Sequence, residues 1–259
     1  MNGIFDSHAH YDDERFDADR DELLESIHRE GVEYIMTIGA DLPTSYAARE
    51  LAERYDFVYF AAGIHPEQAG DAPENYLEEL KALAAHPKCR AIGEIGLDYY
   101  WDKEEEVQKN QRIWFRRQLE LAKESNLPVI IHSRDAAADT MEIMKEAYVQ
   151  GIKGVIHCFS YSKEQAQEYV KMGYYIGVGG VATFKNAKKL KEVIETIPLE
   201  KILLETDCPY MAPEPYRGKR NSSLYLPYVV EKIAGLKGVT AKEVEEVTYR
   251  NAEQLFLGK

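Results

Sequence analysis

Histidines 8 and 10 lie in Ile4-Phe5-Asp6-Ser7-His8-Ala9-His10, a segment that reads as a β-strand. Side chains two apart on a strand point to one face. Two imidazoles aimed off one strand end can grip a single divalent cation; the alternative is a pair of ordinary loop histidines. The other histidines decide between these. Of seven in the chain, five close apolar, β-prone runs: His8 and His10, His65, His132 in Ile130-Ile131-His132-Ser133-Arg134, and His157 in Val155-Ile156-His157-Cys158. Three carboxylates take matching places: Glu94 in Ile92-Gly93-Glu94-Ile95-Gly96-Leu97-Asp98, and Glu205 and Asp207 in Leu204-Glu205-Thr206-Asp207-Cys208-Pro209. One such histidine can be a hydrogen-bonded core residue. Five of them on one rim with three carboxylates indicate a metal site. His28, in a helical stretch, and His86, before a proline, are assigned structural or solvent-exposed places.

The elements that must position these side chains are eight β-rich runs: Ile4–His10, Tyr34–Gly39, Val58–Pro66, Cys89–Asp98, Pro128–Arg134, Gly154–Ser160, Tyr174–Gly180 and Ile202–Pro209. Continuous apolar stretches such as Val129-Ile130-Ile131 suit parallel strands covered on both faces. Helical periodicity marks Arg20–Glu30, Glu104–Ser125, Met141–Gln150, Lys163–Met172 and Lys188–Ile197 between strands, then Leu224–Leu236 and Ala241–Phe256 at the end. Ser162 is a candidate N-cap, Gly151 and Gly173 are candidate helix stops, and Thr240 with Glu243 reads as a capping box. Alternating strands and helices of this number predict an α/β fold, a (β/α)₈ barrel forming one domain over residues 1–259. The competing doubly wound sheet usually carries a glycine-rich phosphate turn after its first strand, where this chain has His-Ala-His.

The length of 259 residues suits one large α/β domain, and no low-complexity tract or linker interrupts it. No apolar run approaches the ~18 residues of a membrane span, and the acidic residues 1–13 do not read as a secretory signal. Cys89, Cys158 and Cys208 form no C-x-x-C pair, as expected of free thiols in a reducing cytoplasm. The net charge of −13 argues against non-specific adhesion to nucleic acid or anionic membrane, so a phosphate substrate must be held by local cations. No obligate protein partner is evident.

Barrel enzymes place their chemistry at strand C-terminal ends. There His8, His10 and Asp207 come from the adjacent first and eighth strands, and His132 and His157 from the fifth and sixth across the mouth. Glu94, between them, is placed to bridge, so two divalent ions are expected. Four imidazoles favour zinc, manganese, iron(II) or cobalt over magnesium. Asp207 is a candidate general base or a ligand only. Glu205 either orients a ligand or fills a barrel layer, and Asp6 supports His8 from behind. His65 is a candidate phosphate contact or a rim residue. Arg134 is a candidate bidentate phosphate ligand. Arg217, Lys219 and Arg220, in the loop Met211–Ser223, either bind the phosphate backbone or are simply solvated. Tyr99, Tyr100 and Trp101 either stack on a base or pack over the rim.

Over essentially its whole length the chain resembles the TatD-type metal-dependent deoxyribonucleases of the amidohydrolase superfamily. The resemblance is carried by Asp6-Ser7-His8-Ala9-His10, Gly63-Ile64-His65-Pro66, Gly93-Glu94-Ile95-Gly96-Leu97-Asp98-Tyr99-Tyr100, His132-Ser133-Arg134, His157-Cys158-Phe159-Ser160, Glu205-Thr206-Asp207-Cys208-Pro209-Tyr210 and Arg217-Gly218-Lys219-Arg220-Asn221. It implies a (β/α)₈ barrel, a Glu94-bridged pair of divalent ions and phosphodiester hydrolysis on DNA, trimmed from a 3′ end. The alternative is a small-molecule amidohydrolase, a lactonase or cyclic amidase, using the same metals in a narrow, enclosed pocket. A non-catalytic metal-binding scaffold is a third reading, opposed by the completeness of the ligand set.

Overall fold

The computed structural model describes residues 3–70, 72–73 and 75–259. The apolar runs form one parallel sheet of eight strands in sequential order: β1 (Ile4–Ala9), β2 (Val32–Ile38), β3 (Val58–Ala62), β4 (Cys89–Asp98), β5 (Val129–Arg134), β6 (Gly154–Ile156), β7 (Tyr175–Val178) and β8 (Ile202–Leu204). The last strand returns to the first. Ala9 pairs with Cys208, His10 N–H donates to Cys208 C=O at 2.8 Å, and Asp207 N–H donates to His8 C=O at 2.9 Å. The fold is therefore the expected (β/α)₈ barrel, and its seam closes through the residues that carry the candidate ligands.

Helices α1 (Arg20–Arg29), α2 (Leu42–Arg54), α3 (Tyr76–Ala84), α4 (Glu105–Ser125), α5 (Ala137–Val149), α6 (Lys163–Lys171), α7 (Lys188–Thr196), α8 (Leu226–Lys237) and α9 (Ala241–Ala252) surround the sheet. Each buries an apolar stripe against the strands; α7, for example, buries Leu190, Val193 and Ile194, worth ~1.5–3 kcal/mol per side chain. Ser162 and Gln165 form a reciprocal capping box at α6, whereas at α9 only the Thr240 half, accepting from Glu243 N–H, is made. Gly151 and Gly173 follow α5 and α6 with left-handed backbone, as helix stops do. Helices α2 and α3 fall where periodicity assigned no element, although Asp41 and Thr44 form a capping box at the start of α2.

The barrel lumen is apolar at the N-terminal ends of the strands. Phe5, Met36, Ala61, Ala91, Ile130, Val155, Tyr175 and Leu203, one from each strand, form a cluster with Leu255 and Phe256 of the C-terminal π-helical turn Glu253–Leu257. Strand alternation carries several of these rows to the opposite end: Ile130 leads to His132, Val155 to His157, and Leu203 to Glu205 and Asp207. Phe5 to His8 and Ala91 to Glu94 are odd steps, which a regular strand would send to opposite faces. β1 and β4 each carry an irregularity in register, between Asp6 and Ala9 and between Ile92 and Ile95. These resets let His8 and Glu94 join the other candidate ligands.

Three strands stop sooner than their composition suggests. The pairing of β6 ends at Ile156 and that of β8 at Leu204, because Cys158 (φ 43°) and Asp207 (φ 56°) take left-handed backbone that cannot continue a ladder. β3 ends at Ala62, before Gly63 and His65.

Candidate metal centre

His8 Nε2, His10 Nε2 and Asp207 Oδ1 converge above the β1–β8 seam, separated by 3.2, 3.4 and 3.6 Å. A four-coordinate ion with donors at ~2.0–2.1 Å places those donors ~3.4 Å apart, so the triangle fits one cation. Glu94 Oε2 lies 3.3 Å from His8 Nε2 and 3.8 Å from His10 Nε2, and offers a fourth donor. The other oxygen, Oε1, faces a second group: 2.7 Å from His157 Nε2 and 2.8 Å from His132 Nδ1, with those nitrogens 3.4 Å apart. One carboxylate thus faces two sets of donors; the groups close enough to hold a metal ion are His8, His10 and Asp207, then His8, Glu94 and His157, and His65, Glu94 and His132.

The electrostatics agree with this donor set. Burial alone would raise the Glu94 pKa, but the imidazoles that face it, His157 first and then His8 and His65, and the His132 hydrogen bond hold it well below the usual carboxylate range. Burial opposes a charge on His10 and His132, yet Asp207 lifts the first to about 9, and Asp98 and Glu94 lift the second to about 9. Protons there supply positive charge of the kind a bound cation would bring. His8 goes the other way, to about 4, through burial and the facing His157 ring stacked 3.9 Å away.

Two histidines are sorted by what touches their Nδ1. His10 Nδ1 faces the Ile38 carbonyl at 3.2 Å, which can only accept, so the neutral ring leaves its Nε2 lone pair free for a metal. His65 Nδ1 accepts the Glu67 N–H at 3.3 Å, so its neutral ring carries the proton on Nε2. That nitrogen lies 3.6 Å from Glu94 Oε1, inside the second cluster, but as a donor and not as a lone pair. Burial keeps the ring neutral, with its pKa lowered to about 3.

Behind these residues stands Asp98, which the strand-end pattern did not single out. Its Oδ2 lies 3.0 Å from His132 Nε2, which turns Nδ1 toward Glu94. Gln111 of α4 binds the Asp98 N–H and C=O at 2.9 and 3.0 Å. The signal was Asp98 at the end of the Glu94 strand, four residues on. Gly96 between them (φ 145°) lets β4 approach β5: a Cβ there would lie 2.0 Å from the His132 carbonyl oxygen. Asp6 supports the site through backbone, not through a ring. It accepts from the N–H groups of His8 and Thr206 at 3.3 and 3.1 Å and from the Thr206 and Ser223 hydroxyls at 2.7 and 2.6 Å. Burial raises its pKa to about 6. Glu205 accepts the Cys158 N–H at 2.6 Å, next to His157, and burial pushes its pKa to about 8. Gly177 makes room for it: a Cβ would lie 2.2 Å from its carboxylate.

A cleft of about 1240 Å³ opens above the clusters, lined by the candidate ligands other than His8 and, among others, His65, Arg134, Lys188 and Lys189. Arg134 stacks over Tyr100 at 3.7 Å, and Tyr100 and Trp101 are exposed. Tyr99 turns away and hydrogen-bonds Asp139 and Arg112. Arg217, Lys219 and Arg220 do not line the cleft. Arg220 is engaged by Asp19 through two hydrogen bonds of 2.8 and 2.6 Å and lies over Phe16; Arg217 lies over the Phe184 ring. The sequence signal for these cations was proximity to Asp207, and the loop carries them away from the mouth. His28 and His86 are structural, as expected. His28 binds the Val32 carbonyl and stacks on Phe57, and His86 pairs with Glu53.

The profile of the family described as TatD related DNase matches residues 5–257. The chain belongs to the TatD family. The uncharacterized metal-dependent hydrolase YabD of Bacillus subtilis (strain 168) is 49% identical over 254 residues, covering 98% of each chain. The 3′-5′ ssDNA/RNA exonuclease TatD of Citrobacter rodentium (strain ICC168) is 33% identical over 259 residues, covering 98% of this chain and 97% of that one. Among solved structures, the TatD homolog YJJV from Escherichia coli K12 superposes with a TM-score of 0.92 at 32% identity, covering 98% of both chains. Like its TatD relatives, this chain is a metal-dependent hydrolase acting on ester bonds. Among its described residues, no helix is long and apolar enough to cross a membrane.

Proposed function

We propose that this protein hydrolyses phosphodiester bonds of single-stranded DNA, and of RNA where it fits, removing nucleotides from a 3′ end. Two divalent ions are held by His8, His10 and Asp207 on one side and His132 and His157 on the other, with Glu94 between. The observation that carries this reading is Glu94, whose two oxygens face separate imidazole clusters at 3.3 Å and at 2.7–2.8 Å. The relatives named as 3′-5′ ssDNA/RNA exonucleases support the substrate class and the polarity. Three unpaired cysteines fit a cytoplasmic place.

Bound there, such ions would supply a water acidic enough to attack phosphorus near neutral pH and positive charge for the phosphoryl oxygens. Asp207 is ionised, because His10 and His8 outweigh the effect of burial. Its partly exposed carboxylate reaches the cleft, where it takes the proton of the attacking water. His65 donates from Nε2 to a phosphoryl oxygen, and Arg134, held flat on Tyr100, offers a fork to a phosphate. The small-molecule reading expects a narrow enclosed pocket. A cleft of about 1240 Å³ exceeds the ~300–1,000 Å³ of ordinary small-ligand pockets and favours an extended substrate.

The test is to incubate metal-reconstituted protein with end-labelled single-stranded DNA, RNA and a panel of lactones and cyclic amides. Progressive shortening of the DNA from its 3′ end is expected; faster turnover of a lactone or amide than of any nucleic acid overturns the reading. Metal analysis should give two ions per chain. A single-site stoichiometry unaffected by Glu94→Ala contradicts the bridged pair.

A further inference from the structure

The mouth of the cleft is divided by charge. Asp12 and Glu14, after β1, and Glu67, after β3, line one wall. Arg134, at the end of β5, and Lys188 and Lys189, at the start of α7 after β7, line the other. In an eight-stranded ring of sequential order, β5 lies across from β1 and β7 from β3. Among the described residues, neither lysine has a carboxylate partner, and the Arg134 guanidinium lies over the faces of Tyr100 and Trp101, close enough to Glu67 to act on its charge but in no ion pair with it. Both lysines are exposed. In a chain of net charge −13, three cations without an ion pair gathered along one wall of the cleft make a local positive strip. Some surface cations are tied to acids, as Arg220 is to Asp19 and Arg54 to Asp21, and others, such as Lys153 and Lys163, have no ion pair among the described residues; what sets these three apart is that they share one wall of the cleft.

We propose that the phosphate backbone of a single strand leaves the metal centre over Arg134, Lys188 and Lys189 alone, while the opposite acidic wall admits an uncharged chain terminus and excludes further phosphates. The inference rests on the nuclease reading above and adds to it a direction and a reason for end cleavage. A backbone crossing the centre symmetrically would lay phosphates against Asp12, Glu14 and Glu67. A strand that ends at the centre meets those acids only with a sugar hydroxyl and a base. Its phosphates all lie on the cationic side, where each one neutralised releases counterions and tightens binding. A 3′-phosphorylated terminus carries the one group this wall rejects.

The experiment compares oligothymidylates ending in a 3′-hydroxyl or a 3′-phosphate, with the manganese-loaded full chain and its variants. For wild type, the 3′-phosphate end is expected to be cleaved at least about tenfold more slowly at low salt. Lys188→Glu/Lys189→Glu is expected to raise KM about tenfold or more, with a smaller change in kcat. It should also flatten the log–log salt slope by about 0.7 per lysine. Lys188→Gln/Lys189→Gln, checked by circular dichroism, gives a smaller change of the same sign and guards against misfolding. Glu14→Gln/Glu67→Gln is expected to narrow the gap between the two termini. Arg217→Ala/Lys219→Ala, outside the cleft, is expected to change neither KM nor slope. If wild type degrades the oligonucleotide but the lysine variants keep its KM and salt slope, the inference fails and the nuclease reading stands. Equal cleavage of both termini by wild type also overturns it. If wild type degrades no nucleic acid but opens a lactone, the nuclease reading itself fails and takes this inference with it.

Discussion

The two ends of the barrel are built from the same strands and do opposite work. At the N-terminal end the lumen is filled by side chains such as Phe5, Ile130 and Leu203, and Phe256 closes it with its ring 5.8 Å from that of Phe5. At the C-terminal end the same rows continue as His132, His157, Glu205 and Asp207, and the backbone takes left-handed turns at Asp135, Cys158, Asp207 and Met211. Non-glycine residues there cost of order 1–3 kcal/mol each. The lower end can hold the fold while the upper end keeps charge, strain and open donors for chemistry.

The sharpest way to break this division is Asp207→Asn. It removes a charge from the first cluster and the candidate base, so kcat on single-stranded DNA is expected to fall about 1000-fold, ~4 kcal/mol of barrel-mouth chemistry. The melting temperature should move by less than ~3 °C, about 1 kcal/mol. Retained turnover in a folded variant would remove Asp207 from the site.

Phe256→Ala tests the other end. Truncating this buried ring should cost ~3–5 kcal/mol and lower the melting temperature by about 10 °C. The kcat of the protein that remains folded should stay within a factor of two of wild type, by activity assayed well below the transition. A selective loss of kcat would mean that the two ends are coupled.

A smaller effect separates holding a ligand from being one. Asp98→Ala leaves His132 without the partner that fixes its orientation, and metal affinity measured by dye competition should drop ~10–100-fold. Asp98→Asn, which still offers an acceptor, should recover part of it. Equal affinity in wild type and Asp98→Ala would make the contact incidental.

Least of all should come from Arg220→Ala. The half-exposed pair with Asp19 is worth under ~1 kcal/mol, read as a slight fall in the denaturant midpoint. The KM for DNA should not change. A clear rise in KM would return this arginine to the substrate path.

Much of the upper end was legible in the chain. His132 and His157 follow apolar runs by even steps, so ordinary strand alternation places them on the lumen face. His8 and His10 share a face for the same reason. The eight runs and their alternation with helices gave the barrel, because parallel strands covered on both faces must be apolar throughout. Helix α2 is not legible from periodicity, although Asp41 and Thr44 offer its capping box, nor is α3, although Leu80 and Leu83 mark its buried face; both are modest apolar stripes beside strong strands.

What the sequence by itself determined was the set of candidate ligands, the strand that carries each of them and the barrel that gathers them, since all three follow from local composition and period. Tertiary structure alone decided that His8 and Glu94 reach the lumen, because their odd spacing from Phe5 and Ala91 is corrected only by register shifts against neighbouring strands. It also decided which basic residues face the cleft. In sequence, residues 217–220 sit nearer to Asp207 than Lys188 and Lys189 do. In space, Arg220 folds back onto Asp19 while α7 begins at the rim. Proximity along a chain does not fix proximity in a closed ring, where strands distant in order meet across the mouth.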